Sequence, residues 1–298
     1  MKTPNTLVGI GWMLITGFLF VGVTAVVRHL GSDMPAAQAA FLRYVIGLAL
    51  ILALFFYEGR KFPGGRLLAM YWWRGFFHAL GVILWFFAMA RIPIADVTAI
   101  GYTTPIFITI GAAIFLGERL HVRRIAAVIS AFIGMLVILR PGLEVVHIGA
   151  WAQFAAAPLF ATSLLMAKRL SDNQDPTDVV TMLSIVCTLV LLPFALWDWR
   201  APTMTELAWL SLTAVFATAG HYTLTKAFAA APITVTQPVS FLQLVWATLL
   251  GVTLFGEPAD IWLFVGGAII VGAATYISHR ESVVAKRHRE SGEPPKNV

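Results

Sequence analysis

Three side chains capable of chemistry sit deep inside apolar stretches of the sequence: Arg43, His78 and His221. A charged or titratable group at such a depth is costly unless it faces a polar cavity or a partner. Each histidine could contact a substrate or relay a proton. Equally, each could make an interhelical hydrogen bond that only holds a bundle together. Arg43 could attract an anionic group such as a carboxylate, or be tied up by backbone carbonyls. Arg74 and Lys226 are also interior, but they read better as side chains that snorkel to an interface. Five aromatic residues lie away from stretch ends and could line a cavity: Trp85, Tyr102, Trp151, Tyr222 and Trp246. An apolar ring face with one polar atom suits an amphipathic ligand. Gln237 and Gln243 flank Pro238, and Pro105 and Pro158 occupy similar apolar surroundings. Proline frees the carbonyl four residues back. Freed groups at membrane depth are tolerated against protein or a water-filled cavity, although a kink can also serve packing alone.

The missing chemistry is as informative. All 15 Asp and Glu residues fall in loops, at stretch ends or in the C-terminal tail. Sodium coupling through buried carboxylates therefore has no support, and proton coupling would fall to histidine. Exchange and facilitated diffusion fit as well. There is no Gly-x-Ser-x-Gly elbow, no His-Glu-x-x-His pair and no Gly-x-x-x-x-Gly-Lys phosphate loop. These gaps argue against an intramembrane enzyme and against an ATP-driven pump. A channel would be expected to show a polar stripe or charge ring, and none is visible. Cys187 is alone, so neither an intrachain disulfide nor a cysteine-based metal site can form. No metal and no cofactor are expected.

The elements that must position these residues follow from composition. Of 298 residues, 59% are hydrophobic and only 12% charged, and mean hydropathy is +0.81. Soluble proteins carry about 25% charged residues. A chain of this length cannot bury so much apolar surface in water, which leaves an all-α integral membrane protein. Roughly 20 apolar residues cross a bilayer. Ten such spans are predicted at 6–28, 36–57, 67–91, 93–116, 122–140, 147–168, 177–198, 204–229, 232–255 and 259–279. Polar breaks between them are short, and the charged, Pro-containing segment 281–298 reads as a disordered tail.

Positive charge orients the chain. With the N-terminus inside, the cytoplasmic segments hold Lys2; Arg60, Lys61 and Arg66; Arg119, Arg123 and Arg124; Lys168 and Arg169; and the basic tail. Arg28, Arg91, Arg140 and Arg200 stand singly in the outer segments. This bias places both termini in the cytoplasm of a cell inner (plasma) membrane, multi-pass. The net charge of +6 thus reads as orientation, and nucleic acid is not an expected partner. The expected partners are the lipid bilayer and a small-molecule substrate. Small residues four apart at Ala127/Ala131, Ser130/Gly134 and Ala268/Gly272 permit close helix contact, either within the chain or across a homodimer.

The sequence also repeats itself at an offset of 139 residues. Pro93 falls on Pro232, Ile94 on Ile233, Thr109 on Thr248, Gly117 on Gly256 and Glu118 on Glu257. Upstream, Trp12 falls on Trp151 and Gly81 on Gly220. Each copy, 1–140 and 141–280, would hold five spans. Five is odd, so the second copy enters the membrane inverted, an architecture typical of secondary transporters. His78 and His221 lie one helical turn from equivalence in this register.

A proline opening the fourth span of each half, Gly-Glu closing it, and Arg43 in the second span resemble the EamA-type drug/metabolite transporters. The resemblance reaches to about Arg280. It implies transport of a small polar or amphipathic metabolite by alternating access. It also implies a midplane pocket walled by the first, third, fourth, sixth, eighth and ninth spans. Amino acids or related compounds are the favoured cargo, with export the favoured direction. Uptake of a cofactor-like or vitamin-like metabolite is the alternative. The inverted repeat has a direct consequence: cysteines introduced near Gly117 and Gly256 should react with an impermeant reagent from the cytoplasmic and outer sides, respectively. Labelling from one common side would end that reading.

Overall fold

The computed structural model describes residues 6–104, 106–108, 126, 129–130, 132–134, 136–137, 147–231, 236, 239–240, 242–258 and 260–291. Expectations concerning Pro105, Glu118, Gln237, Pro238 and most of the fifth span lie outside the described residues. The described helices are α1 (Thr6–Leu30), α2 (Ala36–Tyr57), α3 (Gly65–Met89), α4 (Ile94–Gly101), α5 (Ile148–Ser171), α6 (Pro176–Trp197), α7 (Met204–Ala230), α8 (Leu242–Phe255) and α9 (Ile261–Ser291). Among the described residues, α1, α2, α3, α5 and α6 are long and apolar enough to cross a membrane. Their outward faces carry large apolar side chains, such as Phe18 and Leu196, as a lipid surround requires.

Local chemistry sets several helix ends. Asp175 caps α6, accepting from the Thr177 N–H at 2.9 Å, with Pro176 in the first turn. Thr203 and Glu206 form a reciprocal capping box at the start of α7, which satisfies two otherwise orphaned donors. The fourth span departs from expectation. Within the span predicted at 93–116, α4 ends at Gly101, Tyr102 and Thr103 form a turn, and Thr104 and 106–108 are again helical. The sequence supplies the reason: a proline at position 105 offers no N–H to the carbonyl of Gly101. The chain tightens instead, with the Thr103 N–H and Oγ1 both donating to the Ile100 carbonyl at 3.0 and 2.7 Å. The tail departs as well. Helix α9 continues to Ser291, so 281–291 is helical rather than disordered. No glycine or proline interrupts that stretch before Gly292, and a polar sequence without breakers can extend a helix already nucleated.

The most extensive packing is between α1 and α7, α3 and α5, and α2 and α6. Lesser contacts join α3 to α6, α2 to α7, α1 to α8, α4 to α5, and α4 to α8. Exchanging the first four helices for α5 to α8 in order maps this pattern onto itself. Helices α2 and α6 run antiparallel, and an arginine ties each end of the pair. Beyond the end of α2, Arg60 pairs with Asp175 at 2.8 Å at the start of α6. Burial opposes ionisation of the Asp175 carboxyl, but the Thr177 N–H and Arg60 outweigh it and hold the group below its ordinary value. Beyond the end of α6, Arg200 donates to the Asp33 carbonyl at 3.0 Å, and its backbone exchanges hydrogen bonds with the fully buried Gln38 at the start of α2. The small-residue position Gly134 meets Gly266 and Ile270 of α9 so closely that an added Cβ would lie 2.8 Å from each. That contact is made within the chain.

Glu257 joins three elements. Its Oε1 accepts from Arg28 Nε at 3.1 Å, and its Oε2 accepts from the Ile94 N–H at 3.0 Å. The carboxylate thus caps α4 where Pro93 opens it. Gly256, at φ +61°, makes the left-handed turn that delivers this side chain. A Cβ on Gly251 would lie 2.6 Å from Oε2. Glu257→Ala leaves a buried donor and an arginine unpaired, so it should lower stability by about 1–3 kcal/mol. Glu257→Gln should cost less, because its amide oxygen can still accept from Ile94. Thermal unfolding in detergent checks this ordering; equal midpoints for the three proteins would contradict it.

Candidate functional site

A cavity of ≈ 220 Å³ opens between the helices. It is small beside the roughly 300–1,000 Å³ of typical ligand pockets. Its walls come from α1, α3, α4, α5, α7 and α8, with α2 contributing Arg43.

Aromatic rings make a closed circuit on the wall. The ring centroids of Phe20 and His221 lie 5.1 Å apart, those of His221 and His78 5.0 Å, and those of His78 and Phe160 5.1 Å. Trp85 completes the circuit at 6.0 Å from Phe160 and 6.4 Å from Phe20. The contacts are mostly edge-to-face, the geometry that ring quadrupoles favour. Such a wall offers ring edges and faces to a flat ligand.

Polar atoms are few and incompletely paired. His78 Nδ1 lies 3.2 Å from Ser163 Oγ. By contrast, Arg43 Nε, His221 Nδ1 and Gln153 Oε1 are buried with no hydrogen-bond partner among the described residues. An unpaired buried polar atom is expensive; Tyr44 Oη, Tyr71 Oη and Arg74 Nε are unpaired as well, but Arg43, His221 and Gln153 are the ones whose residues line the cavity. Arg43 is 3% exposed and lies 3.4 Å over the ring of its neighbour Tyr44, rather than snorkelling outward. Arg74 differs: its Nη1 donates to the Val179 carbonyl of α6 at 2.8 Å. The described residues that line the cavity include no carboxylate.

The structure brings together Arg43, His78, Trp85, Tyr102, His221 and Gln243 around this cavity. Tyr102 additionally donates to the Ser240 carbonyl at 3.1 Å, bridging α4 to the segment before α8. Trp151 and Trp246 do not line the cavity. They are 48% and 45% exposed, because their positions on α5 and α8 face outward. Tyr222 is also elsewhere, 4.8 Å from Lys226 Nζ, which approaches Trp12 at 4.9 Å as well. Gln237 lies outside the described residues. Sequence reasoning missed Gln153, Phe20 and Phe160. Gln153 carried a usable signal, as a lone amide inside an apolar span. The two phenylalanines carried none, since phenylalanine is common on every face of such helices.

A family model for EamA-like transporters matches residues 7–140 and again 147–279. The chain belongs to the EamA-like transporter family. This EamA-like chain is 30% identical to a riboflavin transporter of Vibrio cholerae serotype O1, covering 96% of this chain and 97% of the relative. It is 26% identical to an S-adenosylmethionine uptake transporter of Rickettsia felis, over 96% and 97% of the two chains. It is 27% identical to the pseudopaline exporter CntI of Pseudomonas aeruginosa, over 91% and 95%. A solved crystal structure aligns with a TM-score of 0.60 at 21% identity, covering 90% of this chain and 96% of that one, and so shares the fold. The EamA-like chain is therefore a multi-pass membrane transporter, and its relatives' names point away from an enzyme.

The two interior arginines should separate by phenotype. Arg43→Gln removes a charge that faces the cavity and should weaken binding of an acceptor-bearing ligand about tenfold or more, the scale of a lost charged hydrogen bond. Arg74→Gln breaks an interhelical bond and should lower the unfolding midpoint with little effect on affinity. Ligand titration alongside thermal unfolding reads both; identical behaviour of the two variants would refute the assignment.

Proposed function

We propose that this protein is a secondary transporter that carries a small metabolite with a planar heteroaromatic ring across the inner membrane by alternating access. The observation that carries this reading is the ring-walled cavity with three unpartnered polar atoms. Arg43 Nε offers a donor, Gln153 Oε1 an acceptor, and His221 Nδ1 either role according to tautomer. A ligand that satisfies them has a flat body and an edge bearing both acceptors and a donor. The imide edge of a flavin has this character, as do the edges of nucleobases. Aliphatic amino acids lack the flat body, so the lining favours the vitamin-like or cofactor-like class over them. The relatives named for riboflavin and S-adenosylmethionine lend independent support.

Two near-equivalent halves supply the motion. The antiparallel α2–α6 pair and the exchangeable packing pattern support an inverted repeat. Each half can then adopt the other's arrangement and open the cavity to the opposite side. Pairs that α1 and α3 make with the second half would slide against one another, while the α2–α6 pair, clamped at both ends, would stay. Direction follows the ligand's gradient, and relatives named for uptake and for export share this frame.

Purified protein in liposomes, loaded or challenged with riboflavin, uracil, tryptophan or leucine, tests the proposal. Saturable flux of the ring compounds, exceeding that of leucine, is expected. Absence of saturable flux for every compound in both directions would defeat it.

A further inference from the structure

Two glycines of the repeat stand against two rings of the cavity wall. Gly81 on α3 and Gly220 on α7 are equivalent at the 139-residue offset. A Cβ on Gly81 would lie 3.0 Å from Cε1 and 3.1 Å from Cδ1 of Phe160. A Cβ on Gly220 would lie 3.2 Å from Cε1 and 3.3 Å from Cζ of Phe20. Phe160 and Phe20 both line the cavity, and they flank the histidine pair symmetrically, each 5.1 Å from one imidazole.

The geometry points to Gly81 and Gly220 as specificity-determining residues that set the width of the ligand space by fixing how far Phe160 and Phe20 recede from its centre. The inference rests on the proposed ring-binding role of the cavity and adds which residues decide what ring size enters. The physics is steric. At 3.0–3.3 Å, a new methyl is closer than ordinary van der Waals contact, so something must give by a few tenths of an ångström. Each ring borders the cavity, so a shift of the ring changes the space that a ligand can occupy. Because interiors are close-packed, a displacement of that size is felt by a ligand that fits. A methyl against each ring would narrow the space from both sides.

Other glycines show what a pure packing role looks like. A Cβ on Gly75 would lie 2.5 Å from Val186, and one on Gly22 would lie 2.9 Å from Phe216. Neither Val186 nor Phe216 lines the cavity. Alanine at Gly22 or Gly75 should lower stability without changing ligand preference.

The experiment compares equilibrium binding and liposome flux of riboflavin, with three fused rings, and uracil, with one. The proteins are wild type, Gly81→Ala, Gly220→Ala, Gly22→Ala, and the pairs Gly81→Ala/Phe160→Leu and Gly220→Ala/Phe20→Leu. Gly81→Ala and Gly220→Ala should each weaken riboflavin at least fivefold relative to uracil. The companion leucine should restore the ratio by giving back the space. Gly22→Ala should leave the ratio at its wild-type value. Equal weakening of both compounds, an unchanged ratio, or no restoration by leucine would overturn the inference. Should the alanine variants fail to fold, Phe160→Leu and Phe20→Leu in the native background decide it: they must shift preference toward the wider ring, and an unshifted ratio overturns the inference. Binding that follows this pattern without flux would sink the transport reading alone; flux without ring-width dependence would sink the glycine assignment alone.

Discussion

The helices of each half find their principal partners in the other half. Helix α1 packs against α7, and α3 against α5, so among the described residues most of the close packing lies between the halves. This interlocking is the constraint from which the rest follows. In lipid there is little hydrophobic drive to bring apolar helices together, and contact must come from close fit and interhelical polar bonds. The Thr16–Thr223 hydroxyl pair at 2.8 Å and the Arg74–Val179 bond supply such bonds across the halves. The cavity forms where the interlocked pairs diverge, and each half owns part of its wall.

Polar groups are spent sparingly at depth. Arg74 serves a backbone carbonyl, His78 approaches a serine, and several threonines donate to carbonyls four residues back on their own helices. Several buried polar atoms stay unpaired among the described residues, and those of Arg43, Gln153 and His221 belong to residues that border one space. The interrupted α4 adds to it. Gly101, Tyr102 and Thr104 contribute non-helical or helix-end backbone beside the cavity, the setting in which irregular backbone is tolerated within a membrane.

Much of this was legible in the sequence. Hydropathy and charge located α1, α2, α3, α5 and α6 within a few residues, since length and apolarity fix a span with little reference to the rest of the fold. The 139-residue register singled out Pro93 and Glu257 as repeat positions, but not that Glu257 would cap the helix that Pro93 opens. Rotational phase was harder. Trp151 and Trp246 are as deep along their helices as Trp85, yet they face outward, and helices apolar all round give no periodic signal for which face is inside. The break at Tyr102 followed from Pro105 in kind but not in extent. Beyond Arg280, polar composition predicts disorder, but the stretch to Ser291 lacks breakers and continues the helix. Phe20 and Phe160 were invisible, because their role depends on which neighbours stand against them.

The cavity's lack of lining carboxylates among the described residues has an electrical meaning. A fixed acidic group would neutralise a bound cation and mask its charge during passage. Among the described residues that line the cavity, the permanent charge is that of Arg43, which stays with the protein. If no proton or counter-solute moved with it, an uncharged solute would cross without sensing the membrane voltage. A charged one would register its own valence as current.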